Sequence, residues 1–371
     1  MPDPESKRRK TQDVYGIFEG CIGVNDDSLA DTLSYFALQG FKPAGEGTLT
    51  ATECRALYGV SSGLKSIRLR HDGGADHGLL RLMVWSHPTS KGLGTRGLAT
   101  RGGRWAASMT DDVLGIANHC EIACASEADV RYAPPQWTVI YGGESGAQAF
   151  KGPLVGVRET LFFRPLTRQV FFQRWGYSIP TYGTTADALL RTSQVTHFGL
   201  IVEADSNDDP AINFYEKALG LLRARDCRDA TSFKPGGRDA ATAIWGFTPD
   251  ATGNFNIDFD DARSSTDWTK ARSGRLKLAR YPKESRPPLE ECEDGMAACR
   301  PGALGLSLYT FRTPDPEGLR DRVLGHGATA VTGVAPNEFG ERSFSFTAPD
   351  GSCWNIVEGG EGGTVAISFA M

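Results

Sequence analysis

Apolar and polar positions follow one recurring order along this chain, and the stretch Thr196 to Leu222 shows it most plainly. From Thr196 to Glu203 the residues are apolar and β-prone, which predicts a strand. A polar run, Asp205 to Asp209, ends in Pro210. Asp209 suits a helix cap, and Pro210 suits the first helical position, where its missing N–H costs nothing. Ile212, Tyr215, Leu219 and Leu222 then recur at spacings of three and four, an apolar helical stripe. Gly220 marks the end of that helix. His197 opens the strand and is the natural start for any argument about chemistry.

The same order occurs earlier. Ile17 to Phe41 reads as an apolar strand, an acidic turn at Asp26 and Asp27, and a helix with Leu29, Leu33 and Phe36 on one face. Gly78 to Pro88 parallels Gly274 to Pro282, and Arg158 to Pro165 parallels Arg342 to Pro349. Three matches in one order, each roughly 180 residues apart, indicate duplication with a period too long for a solenoid. The expectation is two similar domains, each made of two smaller units.

Turn residues and polar connectors place the units at 13–88, 105–177, 194–282 and 304–358. Residues 1–12 read as a disordered tail and 178–193 as the linker between halves. The expected domains are therefore 13–177 and 194–360. Further elements predicted are strands around Ser66–Leu69 and Leu79–Trp85, a helix near Val113–Cys124, and a hairpin about Pro165–Arg168. In the last unit the expected elements are a strand over Gly305–Phe311, a helix over Glu317–Leu324, and a closing hairpin turned by Pro349-Asp350-Gly351.

Composition narrows the class. With 371 residues, either half can bury a core of its own. Charged residues make up 23% and the formal net charge is −5, so nothing points to a nucleic-acid partner. No apolar run approaches the ~18 residues of a membrane span, and the basic N-terminus has no apolar segment behind it. The expectations are a cytoplasmic protein, a small-molecule partner, and a monomer or homodimer. The eight cysteines are dispersed and do not form a disulfide framework. His119, Cys120 and Cys124 lack the second pair that a zinc site needs, and read as part of a helix. Arg96, Arg101 and Arg104 lie in a Gly-rich connector, which reads as a linker more readily than as an anion site.

A strand opening with His197, a helix reading Phe214-Tyr215 and then Leu219-Gly220, and a late Pro349-Asp350-Gly351 turn into a last strand resemble the vicinal oxygen chelate superfamily. That group includes glyoxalase I, extradiol dioxygenases and bleomycin-resistance proteins. The resemblance implies an α+β fold of four tandem βαβββ modules, paired into two glyoxalase-like domains with curved mixed sheets. It also implies a cup in each domain, with ligands from first and last strands. Metal-dependent members place His or Glu in a first strand, and Glu in the last strand five residues after the Asp of Pro-Asp-Gly. Two imidazoles and a carboxylate leave open positions on Fe(II) or Mn(II).

Carried onto this chain, the implied set is incomplete. His197 takes the first-strand place, and Ser307 falls at the equivalent place in the fourth unit, with Tyr309 on the same strand face. Asn355, not Glu, stands five residues after Asp350. In the first half the matching places fall on Glu19 and Phe171. Glu358 could complete a metal site with His197 only through a bulge, because alternation puts it opposite Asn355. The expected cup therefore contains His197, Tyr309 and Asn355 as catalytic groups, and Ser307, Glu19 and Phe171 against substrate. Its cofactor is expected to be none, or a single divalent Fe, Mn or Zn on His197 and Glu358. The leading expectation is lyase or isomerase chemistry on a small oxygenated molecule. The alternatives are a metal-dependent ring-cleaving dioxygenase and a non-catalytic binding or resistance protein.

Overall fold

The computed structural model describes residues 13–73, 77–97, 100–127, 129–141, 155–179, 183–202, 210–226, 255–261, 274–280 and 295–360. Four modules of one design fill it. The first runs β1 (Ile17–Val24), α1 (Asp26–Ala37), β2 (Phe41–Leu49), α2 (Ala51–Tyr58), β3 (Leu64–His71) and β4 (Leu79–Trp85). The second runs β5 (Arg104–Thr110), α3 (Val113–Ser126), β6 (Arg131–Tyr141), β7 (Val155–Phe163) and β8 (Arg168–Trp175). The third has β9 (Thr192–Val202), α4 (Pro210–Lys217), β10 (Leu222–Asp226), β11 (Phe255–Asp260) and β12 (Arg275–Arg280). The fourth has β13 (Gly305–Thr313), α5 (Pro316–Gly325), β14 (Ala335–Pro336), β15 (Arg342–Thr347) and β16 (Cys353–Glu358). In every module the last strand returns to lie parallel beside the first. A helix between antiparallel strands and a parallel closure is the βαβββ unit expected from the sequence.

Local chemistry sets the helix starts. Asn25 accepts from the Ser28 N–H at 3.2 Å, and Ser28 answers the Asn25 N–H, a capping box. Asp112 and Asp315 cap α3 and α5 by accepting from the Gly115 and Gly318 N–H groups, with Pro316 at the first turn. Thr50 and Glu53 cap α2, a helix absent from the sequence expectation, and Gly59 ends it at φ +72°. Pro210 does begin α4; the polar run before it, including the Asp209 cap, lies outside the described residues. Leu222, expected on the helix stripe, instead opens β10 beyond Gly220 at φ +73°.

The pairing of modules corrects the expected domains. One eight-stranded sheet has the order β14-β15-β16-β13-β1-β4-β3-β2, so the first module pairs with the fourth. The other has the order β10-β11-β12-β9-β5-β8-β7-β6, so the second pairs with the third. The units are those of the sequence, but the split into 13–177 and 194–360 does not hold. The seams are antiparallel, β1 on β13 and β5 on β9. Hydrophobic area drives both unions, because each module's first strand is buried along its length and needs a neighbour.

The helix-bearing faces of the two sheets share one apolar core. It contains Tyr35, Phe36, Leu80, Leu82, Phe171, Phe198, Tyr215, Tyr309 and Trp354, all nearly inaccessible. Polar ties cross this core. The Tyr309 hydroxyl donates to the Gly199 carbonyl at 2.6 Å and lies 2.9 Å from the Trp105 carbonyl, and the Tyr35 hydroxyl donates to Gln169 Oε1 at 2.5 Å. Arg104, a candidate anion contact from the sequence, is instead buried and donates to the Cys299 and Cys353 carbonyls. No helix among the described residues is long and apolar enough to cross a membrane.

Candidate functional site

Each sheet turns its other face into a cup, and the two cups differ chemically. In the sheet of modules two and three, the floor is apolar: Trp105, Ala107, Val170, Phe172, Ile201 and Ala279. His197 stands on this floor. Its ring lies 5.2 Å from that of Phe172, and its backbone pairs with Arg275 and Ala107. It is 8% exposed. The Thr196 hydroxyl donates to the Ala107 carbonyl at 3.0 Å and also meets His197 Nδ1 at 3.0 Å. A hydroxyl has one proton to give, so Nδ1–H donates to it and Nε2 keeps its lone pair. Burial, then the charges of Lys277, Arg275 and Arg174, hold the imidazole well below its ordinary pKa. At neutral pH it is an uncharged base of fixed tautomer. Around it, Arg275 pairs with Asp258 and Asp260 at 3.1 and 2.6 Å.

In the sheet of modules one and four, the cup is charged and filled. Ser345, Asn355, Thr310 and Glu19 form one cross-strand row. Cys21, Arg81 and Arg68 form a second row beside it. The fully buried Arg81 guanidinium lies at the centre. Nε is 3.0 Å from Glu19, Nη1 donates to Glu338 at 2.9 Å, and Nη2 donates to Thr310 at 2.7 Å and Asn355 Oδ1 at 3.2 Å. Arg68 donates to Glu19 at 2.9 Å and grips Glu341 with two parallel bonds of 3.0 and 2.9 Å. Burial alone would push the Glu338 and Glu341 carboxyls up. The charges of Arg81 and Arg68, together with the hydrogen bonds that each carboxylate accepts, hold both below the ordinary carboxylate value. Cys21, raised to about 11 by burial, remains a neutral thiol beside Arg81.

The sequence-predicted residues are thus distributed over three places. His197 lies in one cup, and Glu19 and Asn355 in the other. Tyr309 and Ser307 lie in neither. Alternation along β13 turns them to the helix side, and Thr310 is the residue that meets Asn355 in the cup. Ser307 Oγ is buried and, among the described residues, has no hydrogen-bond partner. Phe171 belongs to the shared core, and its neighbour Phe172 is the residue against His197. Glu358 shows no bulge. It sits at the strand end, bonded to Arg342 at 2.9 Å, and does not approach His197. Asn355 spends its amide on Ser343, Ser345 and the Phe344 carbonyl. Arg68, Arg81, Glu338 and Thr196 were not anticipated. The available signal was Arg68 and Arg81 in the middle of apolar strands, where an unpaired charge is costly.

Among the described residues, neither cup offers a donor set that suits a divalent ion. In the first, the last-strand place at Asn355 faces a guanidinium, already a cation. In the second, His197 is surrounded by Lys277, Arg275 and Arg174, and the nearby aspartates are engaged by Arg275. Among the described residues no three His, Cys, Asp or Glu side chains converge to hold a metal. Cys120 and Cys124 also make no such set. Burial raises the Cys120 thiol to about 12, and Cys124 points to solvent.

No family model and no curated protein matches the chain. Solved structures do. A glyoxalase I variant from Zea mays superposes with a TM-score of 0.51 at 15% identity, covering 92% of this chain and 93% of that one. A putative dioxygenase from Bacillus subtilis gives 0.52 at 12% identity, covering 95% and 87%. At such identities the likeness establishes the fold and leaves the chemistry to the residues.

Proposed function

We propose that this chain, which has the vicinal oxygen chelate fold, acts on a small oxygenated anion in the cup of modules two and three, by proton transfer at His197. One observation carries the reading: a neutral imidazole, fixed by Thr196 so that Nε2 is the bare nitrogen, set among cationic side chains. A base needs an unshared lone pair and a reason for its substrate to come close. Nε2 supplies the first. Lys277 and Arg174 supply the second by attracting an anion and then stabilising the charge that proton removal creates. The apolar floor excludes water around the transferred proton. Lyase or isomerase reactions that begin with a proton beside a carbonyl fit this arrangement. The reaction as proposed uses no divalent ion, because the donor set does not suit one. One chain supplies both halves of the cup, so no second copy is needed.

A second reading, binding without turnover, is favoured by a separate observation. The aspartates nearest the cup, Asp258 and Asp260, are occupied by Arg275, so among the described residues no acid pairs with His197. Deuterium exchange distinguishes the two. The protein is incubated in heavy water with small 2-oxo and 2-hydroxy carboxylates, and solvent exchange at C3 of the former and C2 of the latter is followed by NMR. The first reading expects exchange that falls by about 10²–10⁴ in His197→Ala. Binding with no exchange in the wild type would favour the second, and exchange unchanged in the variant would reject the first.

A further inference from the structure

The charged cup of modules one and four has an internal asymmetry. Most of its donors come from module one: Tyr58 on α2, Ser66 and Arg68 on β3, Arg81 on β4; Asn337 of module four adds one to Glu341 at 2.9 Å. Two of the carboxylates they hold, Glu338 and Glu341, come from one short turn of module four, residues 337–341 between β14 and β15. Glu338 accepts from Arg81 at 2.9 Å, Tyr58 at 2.8 Å and Ser66 at 2.5 Å. Glu341 takes the fork of Arg68, and the Phe339 ring covers the same guanidinium at 4.0 Å. Charge-assisted and bidentate bonds of this kind are how proteins recognise soluble carboxylates.

The turn is also closed on itself. The Asn337 amide N–H donates to the Glu341 carbonyl, and Gly340 N–H to the Asn337 carbonyl. The Phe339 and Glu341 N–H groups both donate to Asn337 Oδ1, at 3.0 and 2.9 Å. Its backbone bonds are therefore internal. The turn is fastened to module one by the two carboxylates and the Phe339 ring, and the Glu338 carbonyl packs against Gly47 of β2. It can leave as a unit without orphaning its own amides. The second cup carries a smaller network, Arg275 with Asp258 and Asp260, beside a floor of apolar side chains. Burying ion pairs where hydrophobic residues would serve gains little stability.

We infer that this cup is a binding site for a small dicarboxylate, occupied here by the Glu338 and Glu341 side chains of the chain's own turn. The free ligand displaces the turn and takes its place on Arg81 and Arg68. This site is separate from that of His197 and stands whether or not His197 transfers protons.

The test uses the full chain and two probes, succinate and glutarate. In Glu338→Gln/Glu341→Gln the internal competitor is weakened, and calorimetry should show at least tenfold tighter binding of one probe than in wild type. A folded variant, verified by near-ultraviolet circular dichroism, that binds neither probe overturns the proposal. If the variant does not fold, hydrogen exchange of wild type decides. With a saturating probe the amides of residues 337–341 should exchange faster while those of β3 and β4 do not. Unchanged exchange of the turn with either probe overturns the proposal equally.

Discussion

The Tyr309 hydroxyl crosses from one sheet to the other and donates to the Gly199 carbonyl at 2.6 Å. The same oxygen lies 2.9 Å from the Trp105 carbonyl, so two backbone acceptors of the β5–β9 seam share this donor. Burial pushes the phenol well above its ordinary pKa, which keeps the proton in place. Tyr309 is thus a tie between sheets and not a group that meets substrate. Tyr309→Phe removes the donor and leaves both buried carbonyls without it. The expected loss is about 1–3 kcal/mol in urea denaturation, with proton exchange at His197 retained. Lost exchange in a variant of wild-type stability would contradict this assignment.

Thr196 offers a sharper test of the proposed base. Thr196→Val keeps the shape of the side chain but removes the acceptor for His197 Nδ1–H and the donor to the Ala107 carbonyl. The imidazole is then no longer held in one tautomer. Exchange should fall roughly tenfold or more at saturating substrate, while substrate affinity changes little, since Thr196 acts through His197. A variant that loses affinity and keeps its maximal rate would place Thr196 against the substrate and remove its orienting role.

The modules were legible because their signals are local. Periodicity, acidic turns and Pro-Asp-Gly placed the first and last strands within a few residues. Which modules share a sheet is a long-range fact, decided by how β1 meets β13 and β5 meets β9, and no local spacing encodes it. The site suffered from the same limit. Counting back from Asp315 put Ser307 and Tyr309 on the cup face, whereas the pairing of Thr310 with Asn355 shows that face to be the alternate one. A one-residue error in a strand inverts every side chain. Glu19 was placed in a cup by its match to the position of His197, and it lies in one. Its partners, Arg68 and Arg81, are 49 and about 62 positions away and could be joined to it only by the fold.

Gly199 is required by the indole beside it. A Cβ there would fall 1.7 Å from Trp105 Cε2, and Trp105 is itself 1% exposed with no room to retreat. Gly199→Ala should cost about 1–3 kcal/mol by overpacking, read as a lower urea midpoint. Gly199 is also two residues from His197 on the same face, so the displaced ring should disturb the cup. Exchange is expected to fall along with stability. A variant of unchanged midpoint would show that Trp105 moves without resistance.

Stability should depend on pH in a range that carboxylates ordinarily leave quiet. Burial, then Lys277, Arg275 and Arg174, lower the pKa of His197 well below its ordinary value; burial also lowers His71, opposed by its bond to the Gln39 carbonyl. In the unfolded chain both imidazoles bind a proton near pH ~6.5, while the folded chain resists doing so. Below that pH the unfolded state therefore holds more protons. Stability is fully present above about pH 7 and declines as the pH falls through the unfolded value toward the folded one. Glu338 and Glu341, held low by arginine, add a further decline only nearer the ordinary carboxylate range. Asp350 and Asp260, raised by burial, act in the opposite direction, so the wild-type curve alone does not isolate the histidine. The difference between wild type and His197→Gln does. Urea midpoints at pH 7.5, 6.5 and 5.5 should fall more steeply for wild type than for the variant, with His71 responsible for part of the slope that remains. Parallel curves would mean that His197 takes up its proton in the folded state as readily as in the unfolded one, and the proposed neutral base would be lost with it.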